Sequence, residues 1–167
     1  MKNGFSLIEL VMVMTLVGIL GLFLAWAISG GIEAWNFVMD KNELMTQTPY
    51  ALSRMARELR QIKDTRSVYL ANSTSITFKD TDGNSITYNL VDNILYRNNY
   101  PLIDGVANFS LLYYDRNGNI ISQPSVNPAD TNIRKIKIII TNQKTTNFFS
   151  LETLIQPRNL SLIGAEK

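Results

Sequence analysis

Met1-Lys2-Asn3-Gly4-Phe5-Ser6-Leu7-Ile8-Glu9-Leu10 opens the chain and sets one carboxylate just inside an apolar segment. From Leu10 to Ile32 there follow 23 residues without an ionisable side chain. As a helix rising about 1.5 Å per residue they reach roughly 34 Å, enough to cross the hydrocarbon core of a bilayer. An acid at the centre of such a segment costs on the order of 3 kcal/mol, so Glu9 is a functional candidate that requires a partner. A secretory signal peptide joins a basic start and a short apolar run to a small-residue cleavage site behind it. Here the run is too long, and the small-residue boundary, Gly4, lies ahead of it. A plain signal anchor fits the length, with Glu9 near the headgroups, about 6 Å of helix beyond Phe5. Lys2 precedes the span and the next basic residue after it is Lys41, which points the start into the cytoplasm and exports the remainder.

Past the span the helical pattern continues. Ile32, Trp35, Val38 and Met39, then Met45, Leu52, Met55, Leu59 and Ile62 recur at helical steps and form one apolar stripe. Paired glycines at Gly30-Gly31 weaken a helix by about 1 kcal/mol each, which predicts a bend or local melting there. Pro49 removes a hydrogen bond and disfavours helix at Thr48, which predicts a kink between two helical pieces. The stripe Leu52, Met55, Leu59 and Ile62 is then expected to face a globular domain.

From Ser67 onward the period changes to two. Ile76 to Phe78 and Ile86 to Leu90 alternate around Asp80-Thr81-Asp82-Gly83-Asn84, a hairpin signature read as a two-residue turn. Ile94 to Tyr96, Val106 to Tyr114, Asn119 to Ser122, Arg134 to Thr141 and Phe148 to Ile155 supply further strands, with Asp115-Arg116-Asn117-Gly118 as another turn. The segment from Gln123 to Asn132 carries Pro124 and Pro128 and reads as a loop. The fold class that follows is α+β: a long, kinked N-terminal transmembrane helix whose C-terminal half packs on an antiparallel β-sheet domain.

Composition restricts the chemistry. The whole chain is 46% hydrophobic with a net charge of +2, and apart from the span it has an ordinary globular composition. Arg54, Arg57, Arg60, Lys63 and Arg66 give the second helical segment a basic side; a solvated helix face accounts for it, and nucleic acid is not an expected partner. Cysteine and histidine are both absent, which excludes disulfides, thiolate nucleophiles, His-containing triads and the usual structural zinc sites. No nucleophile elbow, phosphate-binding glycine loop or paired His-Glu motif occurs, so no enzymatic role and no cofactor are expected. Asp80, Asp82 and Asn84 alternate like calcium ligands, but the glycine stands fourth instead of sixth and position 91 is Val91, where a bidentate glutamate belongs.

Gly4-Phe5-Ser6-Leu7-Ile8-Glu9-Leu10 resembles the start of the type IV prepilin family: a short basic leader, then Gly, Phe, a Ser or Thr, aliphatics, Glu and Leu. The resemblance implies that a prepilin peptidase of the inner membrane cuts between Gly4 and Phe5 and methylates the new terminus at Phe5. It also implies that Glu9 pairs with a neighbouring subunit's terminal amine during assembly. On that footing residues 1–4 are a leader, 5–32 a transmembrane and filament-packing segment, 33–66 an exported amphipathic helix and 67–167 a β-rich globular domain. Ala51 to Ile62 is similar to a segment of the larger minor pseudopilins, the J type of type II secretion and the PilW-like minor pilins. So is Asp104 to Asp115, followed by Gly118. The membrane-half proline and C-terminal cysteine pair of many major pilins are missing, and retention of Glu9 argues against the K-type tip pseudopilin.

The function implied is a minor pilin or pseudopilin that initiates or caps a filament, most simply the type II secretion pseudopilus. Its partners would be other major and minor pilins or pseudopilins, prepilin peptidase and inner-membrane lipid. Its place would be a single-pass inner membrane protein with a cytoplasmic start and an exported domain, later a filament tip. The alternatives are a minor pilin of a DNA-uptake or adhesive pilus and, in another class, a membrane-anchored enzyme.

Overall fold

The computed structural model describes residues 6–121 and 132–161. The chain divides after Asp40 into two compact units. In the first, α1 (Leu7–Arg60) begins, and an 18-residue window of this helix reaches a mean hydropathy of 2.6 with no part of it buried. Two polar side chains in the span satisfy themselves within the helix. The Thr15 hydroxyl donates to the carbonyls of Val11 (3.1 Å) and Met12 (2.9 Å), and the Ser29 hydroxyl donates to that of Ala25 (2.9 Å). Such back-bonding satisfies both hydroxyls within the helix, a condition for residence in lipid. The melting expected at Gly30-Gly31 does not occur: the helix runs through both glycines, because intrinsic propensity is a weak term beside the cooperative ladder of a long helix.

In the second unit α1 supplies the core helix. It also continues through Pro49 instead of dividing into two pieces there. An interior proline costs roughly 3 kcal/mol, but Leu44, Thr48, Ala51, Leu52 and Met55 are buried on either side of it, and each large apolar side chain so placed stabilises by about 2 kcal/mol. The buried stripe is centred on Leu44, Thr48, Ala51, Met55, Leu59 and Ile62. Leu52, Met55, Leu59 and Ile62 are buried as expected. Met45 is 49% exposed and Leu44, its neighbour, takes the core position, because the row through 44, 48, 51 and 55 defines the centre of the face and Met45 lies to one side of it. The helix ends at Arg60, short of residue 66, and a 3-10 turn at Thr65–Ser67 follows.

Two antiparallel sheets complete the unit. β1 (Val68–Ala71), β2 (Ser75–Lys79), β3 (Ser85–Val91), β4 (Ile94–Arg97) and β5 (Tyr100–Ile103) form a five-stranded meander in sequence order. β6 (Val106–Tyr114), β7 (Lys135–Lys144) and β8 (Asn147–Ile155) form a three-stranded sheet. The short helix α2 (Arg158–Ser161) follows β8 and buries Leu160. Alternation places Ile76, Phe78, Ile86, Tyr88 and Leu95 of the first sheet, and Phe109, Leu111, Ile136, Ile138 and Ile140 of the second, in one core with Met55 and Leu59. The fold is α+β, with the helix packed on sheet.

The hairpins depart from expectation in two ways. The β2–β3 loop is not a two-residue turn: the Asp80 amide donates to the Asn84 carbonyl (3.1 Å) and Gly83, at φ +87°, closes a three-residue loop. True two-residue connections occur instead at Asp92-Asn93 and Asn98-Asn99, all at positive φ, a conformation that asparagine and aspartate tolerate. The strand expected from Asn119 to Ser122 is described only as far as Ile121, and there it is a bridge between Ile120 and Tyr114 with the Ile121 amide donating to the Tyr113 carbonyl (2.8 Å). Ser122 and the loop residues 123–131 lie outside the described residues.

Candidate functional site

Ser6 organises the start of α1. Its carbonyl accepts from the amides of Glu9 (3.1 Å) and Leu10 (3.2 Å), and its hydroxyl accepts from the Glu9 amide at 3.3 Å. This is the N-cap half of a capping box, for which Ser6-Leu7-Ile8-Glu9 is the sequence signature. Glu9 therefore sits in the first helical turn, where the helix dipole favours a negative charge. Among the described residues no side chain pairs with its carboxylate, and the large apolar side chains from Leu7 to Met39 are exposed. Gly4 and Phe5, the expected cleavage and methylation positions, lie outside the described residues. The arrangement offers one fixed carboxylate at the end of an apolar surface that lipid or other helices can cover.

A second polar centre lies inside the sheet domain, and no sequence motif announced it. Glu58 is 8% exposed. The Tyr88 hydroxyl donates to Oε2 at 2.6 Å, Arg97 Nε donates to Oε2 and Oε1 at 2.9 and 3.1 Å, and Arg54 Nε donates to Oε1 at 3.2 Å. Burial alone would raise the Glu58 pKa. Donation from Arg97, Tyr88 and Arg54 more than offsets it and holds the group below its ordinary value of 4.5. The Tyr88 phenol is pushed up, first by burial and then by the carboxylate it serves. A carboxylate so fully occupied is a structural tie between α1, β3 and β4. The one local signal was the Arg54/Glu58 spacing of four.

The basic side resolves into parts. Arg54 is drawn to Glu58, while Arg57 and Arg60 join Arg158, Gln61, Thr81 and Asn159 around an open depression of about 390 Å³. There the helix end is closed by the Thr81 amide donating to the Gln61 carbonyl (3.0 Å) and Asn159 Nδ2 donating to the Ile62 carbonyl (3.1 Å). Lys63 and Arg66 are exposed beyond it.

The acidic turns are self-contained. Asp80 accepts from the Asp82 and Asn84 amides (3.0 and 2.8 Å) and from Asn84 Nδ2 (3.1 Å). Asp115 repeats the pattern with Asn117 and Asn119 (2.8, 2.8 and 3.1 Å). Burial raises the Asp80 carboxyl and the Asn84 donors outweigh it; Asn119 chiefly lowers that of Asp115, so both lie below the ordinary range. Among the described residues no group of three or more His, Cys, Asp or Glu side chains is placed to hold a metal ion.

Residues 1–25 match the family model described as the prokaryotic N-terminal methylation motif. The matched range contains Gly4, Phe5 and Glu9 together with the start of the apolar helix. It supports a type IV pilin-like protein, and it implies processing by prepilin peptidase and assembly with other pilins. The N-terminal apolar helix, the one such helix among the described residues, agrees with the membrane anchoring of such chains. No curated protein matches the chain.

Proposed function

We propose that the chain is a minor pilin or pseudopilin that initiates or caps a type IV pilus-like filament, the pseudopilus of type II secretion. The observation that carries this reading is the exposed apolar surface of α1 beside a lone carboxylate in its first turn. In the bilayer, lipid covers that surface. In a filament, neighbouring helices replace lipid and Glu9 meets a neighbour's terminal amine, a pairing strengthened by the low dielectric that makes either charge costly alone. On this reading the peptidase cuts between Gly4 and Phe5, Phe5 is methylated, the start is cytoplasmic and the sheet domain is exported. The work is mechanical and interactional, not enzymatic. The missing membrane-half proline and the retained Glu9 favour a minor subunit other than the K type.

A second reading, a DNA-uptake pilus, draws support from the exposed Arg57, Arg60 and Arg158 around one depression. DNA binding that weakens steeply with salt would favour it. The first reading is tested by crosslinking to partner pilins in cells that make Glu9→Ala at wild-type levels. Loss of crosslinks with anchoring intact is expected, because removing a charge makes the span more apolar. Undiminished crosslinking with normal filament output would refute the assembly role of Glu9.

A further inference from the structure

An open sheet edge presents unpaired amides and carbonyls, and folded proteins blunt such edges by short strands, bulges, proline or cover. Among the described residues, three of the four sheet edges are treated in these ways. β1 has four residues with a register shift between Val68 and Leu70, and β5 has four residues and contains Pro101. The outer edge of β6 is covered by its own chain: the Val106 amide donates to Asn93 and the Leu111 amide to Ser73, both at 2.8 Å, and the Ile121 amide donates to Tyr113 at 2.8 Å. β8 has none of these devices. Its nine residues pair in unbroken register with β7 and include neither proline nor lysine, and no described backbone group pairs with its outer edge. Its exposed face carries Phe148 (65% exposed) and Leu154 (55%), with Ser150 and Glu152 between them.

We propose that this edge is an interface between two copies of the chain, joined through antiparallel β8 strands centred on Leu151. The side chains specify the occupant. About Leu151, Phe148 of each copy falls opposite Leu154 of the other, and Ser150 falls opposite Glu152, so apolar groups meet twice and no like charges face each other. Centring on Glu152 would oppose two carboxylates, and centring on Ser150 would set Phe148 against Glu152. A centre on a residue also keeps exposed side chains on the same face in both copies. The result joins two three-stranded sheets into one. The inference stands apart from the filament reading, since it rests on the sheet domain alone.

The chain contains no cysteine, so introduced cysteines report register without background. Full-length protein in detergent micelles would be prepared as Ser150→Cys and as Glu152→Cys, distinguished by tags, then mixed and oxidised. Directly opposite residues in antiparallel strands lie about 4.5–5.5 Å apart between Cα atoms, within disulfide reach; like-numbered cysteines would lie beyond about 7 Å. The mixed disulfide is expected to form about tenfold faster than either homodimer. It should disappear when Phe148→Lys and Leu154→Lys are added, changes at exposed positions that leave the core untouched. Absence of a disulfide-linked dimer, homodimers as abundant as the mixed product, or linkage undiminished by the lysines would each overturn the proposal.

Discussion

Glu58 is a buried carboxylate kept ionised by donors from three side chains, and that makes it a point of acid sensitivity. Its folded pKa lies below 4.5, so its stabilisation is fully present above the unfolded value and is lost as pH falls through the folded one. Denaturant unfolding followed by circular dichroism should show stability declining below about pH 4.5, with a shallower decline in Glu58→Gln. At pH 7 that variant should be weaker by on the order of 3 kcal/mol, since it leaves buried donors without their charge. Gly105 is a point of steric sensitivity. It stands at φ +67°, and a Cβ there would lie 2.8 Å from the Gln143 carbonyl oxygen and 2.9 Å from Asn142 Oδ1. Gly83, at φ +87°, has open space around it. Gly105→Ala should therefore lower stability by about 2 kcal/mol or more and Gly83→Ala by about 1 kcal/mol, a difference that thermal melts resolve. Glu9 was legible in the sequence because a charge in an apolar run stands out without its partners. Glu58 was not, because Tyr88 and Arg97 lie 30 and 39 residues away.

Strands with strong alternation were readable nearly to their ends, and β6 spans the expected Val106 to Tyr114. β1 and β5 escaped notice although β4, of the same length, did not: β5 contains Pro101, which weakens a strand signal, and the turn before it is Asn98-Asn99, without glycine. Asn98 shows what replaces glycine there. It adopts φ +49°, its Oδ1 accepts from the Thr87 amide at 2.7 Å, and its Nδ2 donates to the Ser85 carbonyl at 3.1 Å. Asn98→Ala forfeits both the conformation and the bonds and should cost about 2 kcal/mol, whereas Asn98→Gly forfeits only the bonds and should recover part of it. Equal losses in urea titrations would show that the left-handed backbone contributes nothing. The helix lesson runs the other way. Propensity overstated local melting at Gly30-Gly31, and Pro49 does not divide the helix, because the cooperative ladder of a long helix absorbs local penalties that would break a short one.

At the scale of the whole molecule the burial is one-sided, since the core begins at Leu44 and the helix before it contributes no buried apolar side chain among those described. Trimming through Gly31 should therefore leave residues 32–167 soluble, with a circular-dichroism spectrum rich in strand; aggregation alone would show that the domain boundary is misplaced. The class of protein was legible because its defining chemistry is local to the first few residues. The choice between secretion pseudopilus and pilus was not, because complementary surfaces on other chains decide it. If the chain is processed and methylated as a prepilin, mass spectrometry after co-expression with prepilin peptidase should find a mature chain beginning at N-methylated Phe5, with cleavage abolished in Gly4→Leu; a chain that retains Met1, or efficient cleavage of Gly4→Leu, would contradict the proposed processing.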